Sequence, residues 1–470
     1  MPRQADLLDA VDRAVEAATR LGADVADARS ARVWSSSLLV QDERVERLSV
    51  GATEGVGVRA LVDGAWGFAS SDALRAGEID AVARDAVRLA QAAARLPRRR
   101  AELAEGGAVT GEFHEEPEIP PAEVPVAEKT ERLLALERAG RSAGNGSVVN
   151  SVVQYTDQSG EIALAASRGA RVRRRTGRVL MSTLMVARDE HSSQRWVERV
   201  GRVGGYECVR AIEPGTFSVR AAERASALLR APHAPAGAYP VVLDPSVAGL
   251  LAHECLGHNA EADLVLSGQS MLEGRLGERV ASEAVTVVDD PTLPRAFGSY
   301  PFDAEGVAPR RVEIIGRGVL RSYLHSLETA RRMNQVPDGH GRAESYSARP
   351  LARMSNTFFA AGEAEVEEMI RGVEKGLLLE HGTSGYVLSE RGNYTCRAAC
   401  GRLIEKGELG EMVRDVSFSG LVLETLRDID AVSREWRLDS PGFCEKDGQG
   451  VPVDSGGPFV RVTRVVVGGR

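Results

Sequence analysis

The segment 239–258, YPVVLDPSVAGLLAHECLGH, decides how the C-terminal half of this chain is expected to fold. Residues 239–243 are apolar and partly β-branched, which predicts a short buried strand. Asp244 followed by Pro245 indicates a helix start, because an acidic N-cap accepts backbone N–H donors and proline is favoured at the first helical position. The strand is therefore followed by a helix in which His253 lies about two turns from the start.

Two histidines, His253 and His258, and the adjacent Glu254 stand within six residues, in a chain that has 8 histidines. On a regular α-helix, residues five apart lie about 140° apart, so both imidazoles reach one ion only if the helix is locally widened or ends near Gly257. Single π-type turns of this kind cluster at functional sites, and glycine permits one most easily. Glu254 would then face the ion as a general base. The alternative is a pair of core histidines with satisfied hydrogen bonds.

A catalytic zinc needs three protein ligands and an open position, so a third ligand has to come from another part of the chain. Cys444 lies in the turn-rich segment 441–450, where glycine and polar residues keep a thiol accessible. Glu261 and Asp263 follow the histidines closely and stay open as alternatives. Both carboxylates are also placed to orient the imidazoles through hydrogen bonds.

The five cysteines are odd in number and scattered, which argues against a disulfide framework. Cys255 lies about 200° round the helix from His253, so its thiol is expected to point away from the ion. Cys396 and Cys400 form a Cys-x₃-Cys pair, but the chain has no second pair to complete a four-ligand structural site. The sequence gives Cys255, Cys396 and Cys400 no defined role.

Length and composition set the class of protein. A chain of 470 residues is too long for one core and indicates two domains, and 43% apolar with 27% charged residues is typical of a globular protein. The net charge of −8 argues against direct nucleic-acid binding. No apolar run has the length of a membrane span, and residues 1–21 lack the apolar core of a signal peptide. We therefore expect a cytoplasmic protein with no membrane partner.

The pattern of apolar residues predicts an α+β fold with two domains. The N-terminal domain, residues 1–230, mixes helices and strands, and an acidic, proline-rich connection without periodicity lies near 106–126. The C-terminal domain, residues 231–470, is β-rich and carries the histidine helix. Short strands are predicted at 38–41, 44–50, 55–61, 152–156, 161–166, 171–178 and 180–187. A first helix is predicted within residues 1–21, with a stop at Gly22, and further helices at 78–96, 127–142 and 218–229.

Two separated motifs carry a resemblance to a known family. The stretch 253–263, HECLGHNAEAD, together with 444–453, CEKDGQGVPV, resembles the TldD/PmbA family of zinc metallopeptidases, and in particular its metal-bearing TldD branch. The resemblance spans nearly the whole chain. Smaller matching pieces are 55–59, 66–69, 353–357, 418–420 and 424–426.

The resemblance implies a helix-and-strand N-terminal domain and a β-rich C-terminal domain that holds Zn²⁺. By position, His253, His258 and Cys444 match the family's metal ligands, and Glu254 matches its catalytic glutamate. Family members act on short or unfolded peptides as homodimers, or as heterodimers with a TldE/PmbA-like relative that lacks the ligands. Cys255 and the 396–400 stretch depart from the family pattern, and they bear on substrate preference.

The expected activity is zinc-dependent peptide hydrolysis, by an endopeptidase or an exopeptidase. Zinc-bound water is the nucleophile, and Glu254 takes its proton and passes it to the leaving amine. One alternative is a non-catalytic, peptide-binding subunit of a protease heterodimer, which retention of all four site residues disfavours. Another is a regulator acting on a topoisomerase, as the family's older name, modulator of DNA gyrase, suggests. The acidic charge and the lack of a nucleic-acid motif disfavour it.

Overall fold

Two large β-sheets, one in each domain, organise an α+β fold. A computed structural model describes residues 6–96 and 99–468. Within these residues one sheet contains seven strands and the other eleven. No helix in the described part of the chain is long and apolar enough to cross a membrane.

The N-terminal domain consists of long strands joined by turns and helices. Its sheet has the order β3-β2-β1-β5-β6, and β4 and β7 both pair with β6; only β4 runs parallel to its neighbour. A 3₁₀ turn, Pro121–Glu123, and a π-helical turn, Gly215–Val219, lie between the helices. The elements are α1 (Leu7–Arg20), β1 (Val25–Gln41), β2 (Arg44–Val62), β3 (Ala65–Ser71), α2 (Ala76–Ala94), β4 (Thr110–Glu115), α3 (Val126–Ala143), β5 (Val148–Ala166), β6 (Arg171–Arg188), β7 (Ser193–Val203), α4 (Glu207–Arg210) and α5 (Arg220–Arg230).

The helices of this domain follow the sequence pattern. Asp6 caps α1 by accepting a 2.8 Å hydrogen bond from Leu8 N, and Gly22 ends it with a φ of 95°. The predicted stop at Gly22 is therefore confirmed, and α2, α3 and α5 lie within two residues of their predicted bounds.

The predicted strand lengths and the predicted connection were wrong. The short pieces expected at 38–61 and 152–187 are parts of the long strands β1, β2, β5 and β6, because each pairs with a neighbour along its length. The connection near 106–126 contains β4, which is held on the edge of β6 by opposite charges. Arg174 Nε lies 2.5 Å from Glu115 Oε2, and Arg175 Nη1 lies 3.5 Å from Glu116 Oε1.

The C-terminal domain is built on a ring of strands. β8 pairs with both β15 and β20, so β8, β15, β16, β17 and β20 close on themselves. A π-helical segment, Leu251–Gly257, joins α6 to α7. The elements are β8 (Gly237–Leu243), α6 (Pro245–Leu250), α7 (His258–Ala260), α8 (Ala262–Leu266), β9 (Val287–Asp289), β10 (Val312–Gly316), β11 (Val319–Leu320), α9 (Leu327–Arg332), β12 (Gly341–Arg342), β13 (Leu351–Ala352), β14 (Asn356–Phe359), α10 (Val366–Arg371), β15 (Lys375–Leu388), β16 (Asn393–Glu405), β17 (Glu408–Leu421), α11 (Val422–Arg427), β18 (Ile429–Leu438), β19 (Gly442–Lys446) and β20 (Gln449–Gly468).

The largest core cluster of the protein lies between this ring and the histidine helix. Val247, Leu251 and Leu256 from the helix are buried with Val460 and Val462 from β20. The helix packs closely on β20, since a Cβ added at Gly249 would stand 2.3 Å from Gly456 N. The same β20 forms the hairpin with β19, so one strand fixes both the helix and Cys444.

Candidate metal centre

The strand-to-helix unit predicted from residues 239–258 is present. β8 leads to Asp244, whose Oδ1 accepts a 2.8 Å hydrogen bond from Val247 N, and Pro245 opens the helix. Asp244 Oδ2 also accepts from His381 N of β15 at 3.1 Å. The N-terminus of the helix is therefore fixed to the ring of strands before the histidines are reached.

The helix widens where the two histidines lie, which confirms the predicted π-type turn. Within the π-helical segment the N–H of His258 donates to the carbonyl of His253, five residues earlier. A five-residue hydrogen-bonded turn places these two side chains on one face. Gly257 has an ordinary helical φ of −57°. Its lack of a side chain serves packing instead, because a Cβ there would stand 1.9 Å from Met354 Sδ.

The β19–β20 hairpin brings Cys444 to the two imidazoles. Ligand atoms of His253, His258 and Cys444 all lie within 4.8 Å of one another, and Cys444 Sγ is 3.5 Å from His258 Nε2. In a tetrahedral zinc site with usual bond lengths, a nitrogen and a sulfur ligand lie about 3.6 Å apart. The donor types and the separation of Cys444 Sγ from His258 Nε2 therefore fit a zinc ion.

The surroundings of Cys444 favour the thiolate form. Burial raises the pKa of this thiol, but hydrogen bonds from His253 and His258 more than offset the burial and lower the pKa to about 5. A thiolate is the form that binds metal. The centre thus presents one anionic and two imidazole donors.

Glu261 orients His258. Its Oε2 lies 3.3 Å from His258 Nδ1, so the Nδ1–H donates to the carboxylate and Nε2 faces Cys444. Burial lowers the pKa of His258, but Glu261 and Cys444 raise it well above its ordinary value. The same two anions stabilise any positive charge at Nε2, a metal cation included.

Two cations that the sequence reasoning missed hold Glu261 in place. Lys446 Nζ lies 3.1 Å from Glu261 Oε2 and donates to Ala352 O at 3.0 Å. Arg353 Nε lies 3.6 Å from Glu261 Oε1, and its Nη2 donates to Cys444 O at 2.5 Å. Burial raises the pKa of Glu261, but His258, Lys446 and Arg353 lower it to about 2. The sequence carried no signal for these two partners, because a buried carboxylate needs charged partners but only the fold shows that Glu261 is buried.

The other candidates lie outside the three-residue group. Asp263 accepts from Lys446 Nζ at 2.7 Å and has no hydrogen bond with a histidine in the described part of the chain, so it does not orient an imidazole as expected. Cys255 is fully buried in the same core cluster as Cys396, which agrees with a thiol that points away from the ion. Cys400 is buried in a separate cluster with Ala221 and Ala225.

Glu254 lies beside His253 but does not belong to the group of possible ligands found among the described residues. It is half-buried, and its side chain runs along β15 at Gly385. A Cβ added at Gly385 would stand 2.8 Å from Glu254 Cγ. The glycine thus leaves room for the Glu254 side chain beside β15.

Comparison with known proteins identifies the family. Models of the PmbA/TldA metallopeptidase domain 1, central domain and C-terminal domain match residues 26–90, 119–229 and 236–469. A metalloprotease of Methanothermobacter thermautotrophicus is 37% identical over 95% of this chain and 96% of the relative. A zinc metalloprotease TldD homolog of Saccharolobus solfataricus is 28% identical over 97% of this chain and 99% of the relative.

Solved structures show the same fold. A Thermotoga maritima protein described as a modulator of a DNA gyrase superposes with a TM-score of 0.78 at 22% identity, over 97% of this chain and 99% of that chain. TldE from Thermococcus kodakarensis gives a TM-score of 0.78 at 18% identity, over 98% of this chain and 100% of that chain. Models of all three domains match this chain, and a relative is 37% identical over 95% of it. The chain therefore belongs to the PmbA/TldD metallopeptidase family.

Proposed function

We propose that this protein is a zinc-dependent peptidase that hydrolyses short or unfolded peptides. The observation that carries the proposal is the convergence of His253, His258 and Cys444. Their ligand atoms lie within 4.8 Å although Cys444 is 186 residues from His258 in the chain. The name of the Saccharolobus relative, a zinc metalloprotease, supports zinc as the metal.

In this proposal His253, His258 and Cys444 hold the ion, and Glu254 does the proton transfer. When bound, zinc supplies Lewis acidity, which lowers the pKa of water and polarises the scissile carbonyl. The Glu254 carboxylate takes the proton of the attacking water and returns it to the leaving amine. Its place on the helix beside His253, outside the ligand group, suits a base better than a ligand.

The residues behind the ligands keep the site in one arrangement. Glu261 accepts from the Nδ1–H of His258, which leaves the Nε2 lone pair on the side of Cys444, where it would be available to hold the ion. Arg353 ties Glu261 to the backbone of Cys444, which links the helix to the hairpin. This support lets the two segments hold their donors at a fixed separation before substrate arrives.

The test compares purified wild type with Glu254→Gln, by metal analysis and by cleavage of an unfolded peptide. We expect about one zinc per chain in both proteins and loss of turnover in the variant, roughly 10²- to 10⁴-fold for a general base. Glu283→Gln is the matched control, because Glu283 is exposed and pairs with Arg317 on the surface. The control should cleave as fast as wild type.

The same experiment separates the rival functions. If zinc-loaded wild type cleaves the peptide only after a TldE/PmbA-like relative is added, the active form is a heterodimer. If the wild-type protein cleaves the peptide without the relative, the active form is a homodimer or a monomer. A protein that binds peptide and never cleaves it, with or without the relative, would contradict the peptidase proposal. The names of the structural neighbours alone keep a topoisomerase regulator among the alternatives.

A further inference from the structure

A cavity of about 570 Å³ lies between the two domains. Its floor is formed by residues of β1, β5 and β6 of the N-terminal sheet. Its other side is formed by C-terminal residues around 300–304 and 342–346 and by the β19–β20 hairpin. A volume of this size suits a small ligand or a few residues of a peptide.

The cavity is separate from the candidate metal centre. Successive side chains of a strand point to opposite faces, and Phe443 and Glu445 line the cavity whereas Cys444 faces the histidines. On the paired strand Gly450 and Pro452 also line the cavity, and Val451 between them is buried in the core. The hairpin thus has the thiolate on one face and the cavity on the other.

Four arginines line this cavity: Arg29, Arg174, Arg178 and Arg342. Arg29, Arg174 and Arg342 are only 4%, 7% and 7% exposed. Buried N–H donors remain without a hydrogen-bond partner on Arg29 (Nε and Nη1), Arg174 (Nη2) and Arg178 (Nε). Buried guanidinium donors of this kind are normally paired with a carboxylate or a phosphate.

The carboxylates at the cavity do not satisfy these donors. Asp303 is buried, and its oxygens accept the backbone N–H groups of Glu305, Val307 and Gly341. Glu344 and Glu445 are exposed. Glu115, outside the lining, pairs with Arg174 Nε at 2.5 Å, and it leaves Nη2 of Arg174 and the free donors of Arg29 and Arg178 unpaired within the described residues. The arginines of the cavity therefore outnumber the carboxylates that pair with them.

The arginines also repel one another. Burial, together with the charges of Arg174 and Arg342, lowers the pKa of Arg178 to about 9. Its Nη2 donates to Ser299 O at 3.1 Å, whereas its Nε has no hydrogen-bond partner among the described residues. An anion between these guanidinium groups would relieve the repulsion and pair the free donors.

Aromatic rings complete the lining. Tyr300, Phe302 and Phe443 face the cavity, and Arg342 lies over the Tyr300 ring with its Cζ 4.8 Å from the centroid. Such a surface accepts apolar side chains beside a charged group. The combination favours a ligand with an apolar body and one or more oxyanions over a free inorganic ion.

We propose that this arginine-lined cavity binds the carboxylate of a peptide, either its C-terminal carboxylate or an acidic side chain. The choice of a peptide as the ligand rests on the proposed peptidase function, whereas the choice of a carboxylate rests on the unpaired arginine donors. The cavity is then a second contact region for peptides, on the face of the hairpin opposite Cys444.

The test is direct binding to zinc-loaded Glu254→Gln protein, so that no peptide is cleaved. The probe is an N-acetylated tetrapeptide of alanine, phenylalanine and glutamate with a free C-terminus. Its dissociation constant is measured by isothermal titration calorimetry. The probe is compared with its C-terminal amide and with the peptide that has glutamine for glutamate. We expect at least one of these neutral versions to bind roughly tenfold to a hundredfold more weakly, the range for a charged hydrogen-bonded pair. The version that weakens binding identifies which carboxylate is bound.

Arginine variants place the ligand in the cavity. Arg178→Met should remove most of the preference for the acidic peptide, and Arg178→Lys should keep part of it, because charge remains without the planar fork. Arg175→Met is the matched control, since Arg175 lies on the same strand with its side chain half-exposed on the other face. Thermal unfolding checks that each variant is folded.

The outcomes are distinct. If the Glu254→Gln protein with an unchanged cavity binds the acidic peptide and both neutral peptides equally well, the proposal is overturned. This holds even if Arg178→Met does not fold. Equal losses in Arg178→Met and Arg175→Met would also overturn it. Carboxylate-dependent binding by a protein that never cleaves peptide would leave the cavity assignment standing and reject the peptidase proposal.

Discussion

Glu261 is the residue on which the orientation of His258 depends. It accepts from Nδ1 at 3.3 Å, whereas the nearby Asp263 contacts Lys446 and no histidine. We predict that Glu261→Gln lowers zinc affinity by about tenfold to a hundredfold, because the charged partner of a ligating imidazole is lost. Competition with a chromogenic chelator measures the change. Asp263→Asn should leave affinity near wild type, and equal losses in the two variants would contradict the assigned role of Glu261.

Gly385 makes room for the carboxylate that we propose as the base. A methyl group there would stand 2.8 Å from Glu254 Cγ and push that side chain away. We predict that Gly385→Ala lowers kcat by roughly tenfold to a hundredfold, as for a catalytic group displaced by about 1 Å. Zinc content should not change, because Glu254 is not among the ligands.

The control for this variant is Gly410→Ala in β17, where a methyl group would meet its nearest atom at an ordinary 3.6 Å. Steady-state kinetics on one peptide, with zinc content measured on the same samples, gives both readouts. If Gly385→Ala lost zinc together with activity, the effect would lie in the ligands and not in Glu254.

At the residue scale, the sequence predicted those parts of the site that lie close together in the chain. His253, Glu254 and His258 share one helix, and their spacing demanded the widened turn that the structure contains. Cys444 is far from the histidines in the chain, and the residues by themselves left Glu261 and Asp263 as alternative third ligands. Only the family resemblance selected Cys444. Lys446 and Arg353 were missed, since their partner Glu261 is identified as buried only by the fold.

The π-helical segment is the element that makes a five-residue spacing work. Gly257 lies at the end of this segment, and its lack of a side chain makes room for the Met354 side chain. We predict that Gly257→Ala lowers the free energy of unfolding by about 1–3 kcal/mol, the usual cost of overpacking a core. The loss occurs although alanine is intrinsically the better helix former by about 1 kcal/mol.

Urea unfolding measures this change, and two variants interpret it. Gly215→Ala lies in the other π-helical turn with no atom within 4 Å of the new methyl group, so it should be neutral or stabilising. Combining Gly257→Ala with Met354→Ala should cost less than the sum of the two single changes, because the second removes the clash. A strictly additive double variant would show that Met354 is not what Gly257 accommodates.

Element lengths were the part of the fold that the sequence predicted least well. Residues 35–37 are three serines, and Gly51 interrupts the apolar pattern, so β1 and β2 were expected as short pieces. Pairing on both sides overrides this local signal, since β1 is hydrogen-bonded to β2 and to β5 over the same residues. The acidic strand β4 was missed for a similar reason, because its partners are the arginines of β6.

At the scale of the whole molecule, the packing of the two domains could not be read from the sequence. The predicted boundary at residue 230 stays a prediction, as do the dimer and the cytoplasmic location. Within the described residues, a buried ion-pair network links the two domains. Arg59 Nη2 lies 2.8 Å from Asp27 Oδ2 and 2.8 Å from Glu305 Oε1, and its guanidinium stacks 4.1 Å from the Trp66 ring. Glu305 also accepts from Leu327 N at 2.6 Å.

This link gives the last prediction. Glu305→Gln should lower the free energy of unfolding by about 3 kcal/mol, the lower end for a broken buried ion pair, because Asp27 still partners Arg59. Arg59→Met and the double variant complete a cycle, and we expect a coupling energy of at least about 1 kcal/mol between the domains. Glu283→Gln, which breaks an exposed pair, should change stability by less than about 0.5 kcal/mol. Additive effects in the cycle would mean that each side chain stabilises its own domain and that other contacts, such as that of Arg178 with Ser299, hold the domains together.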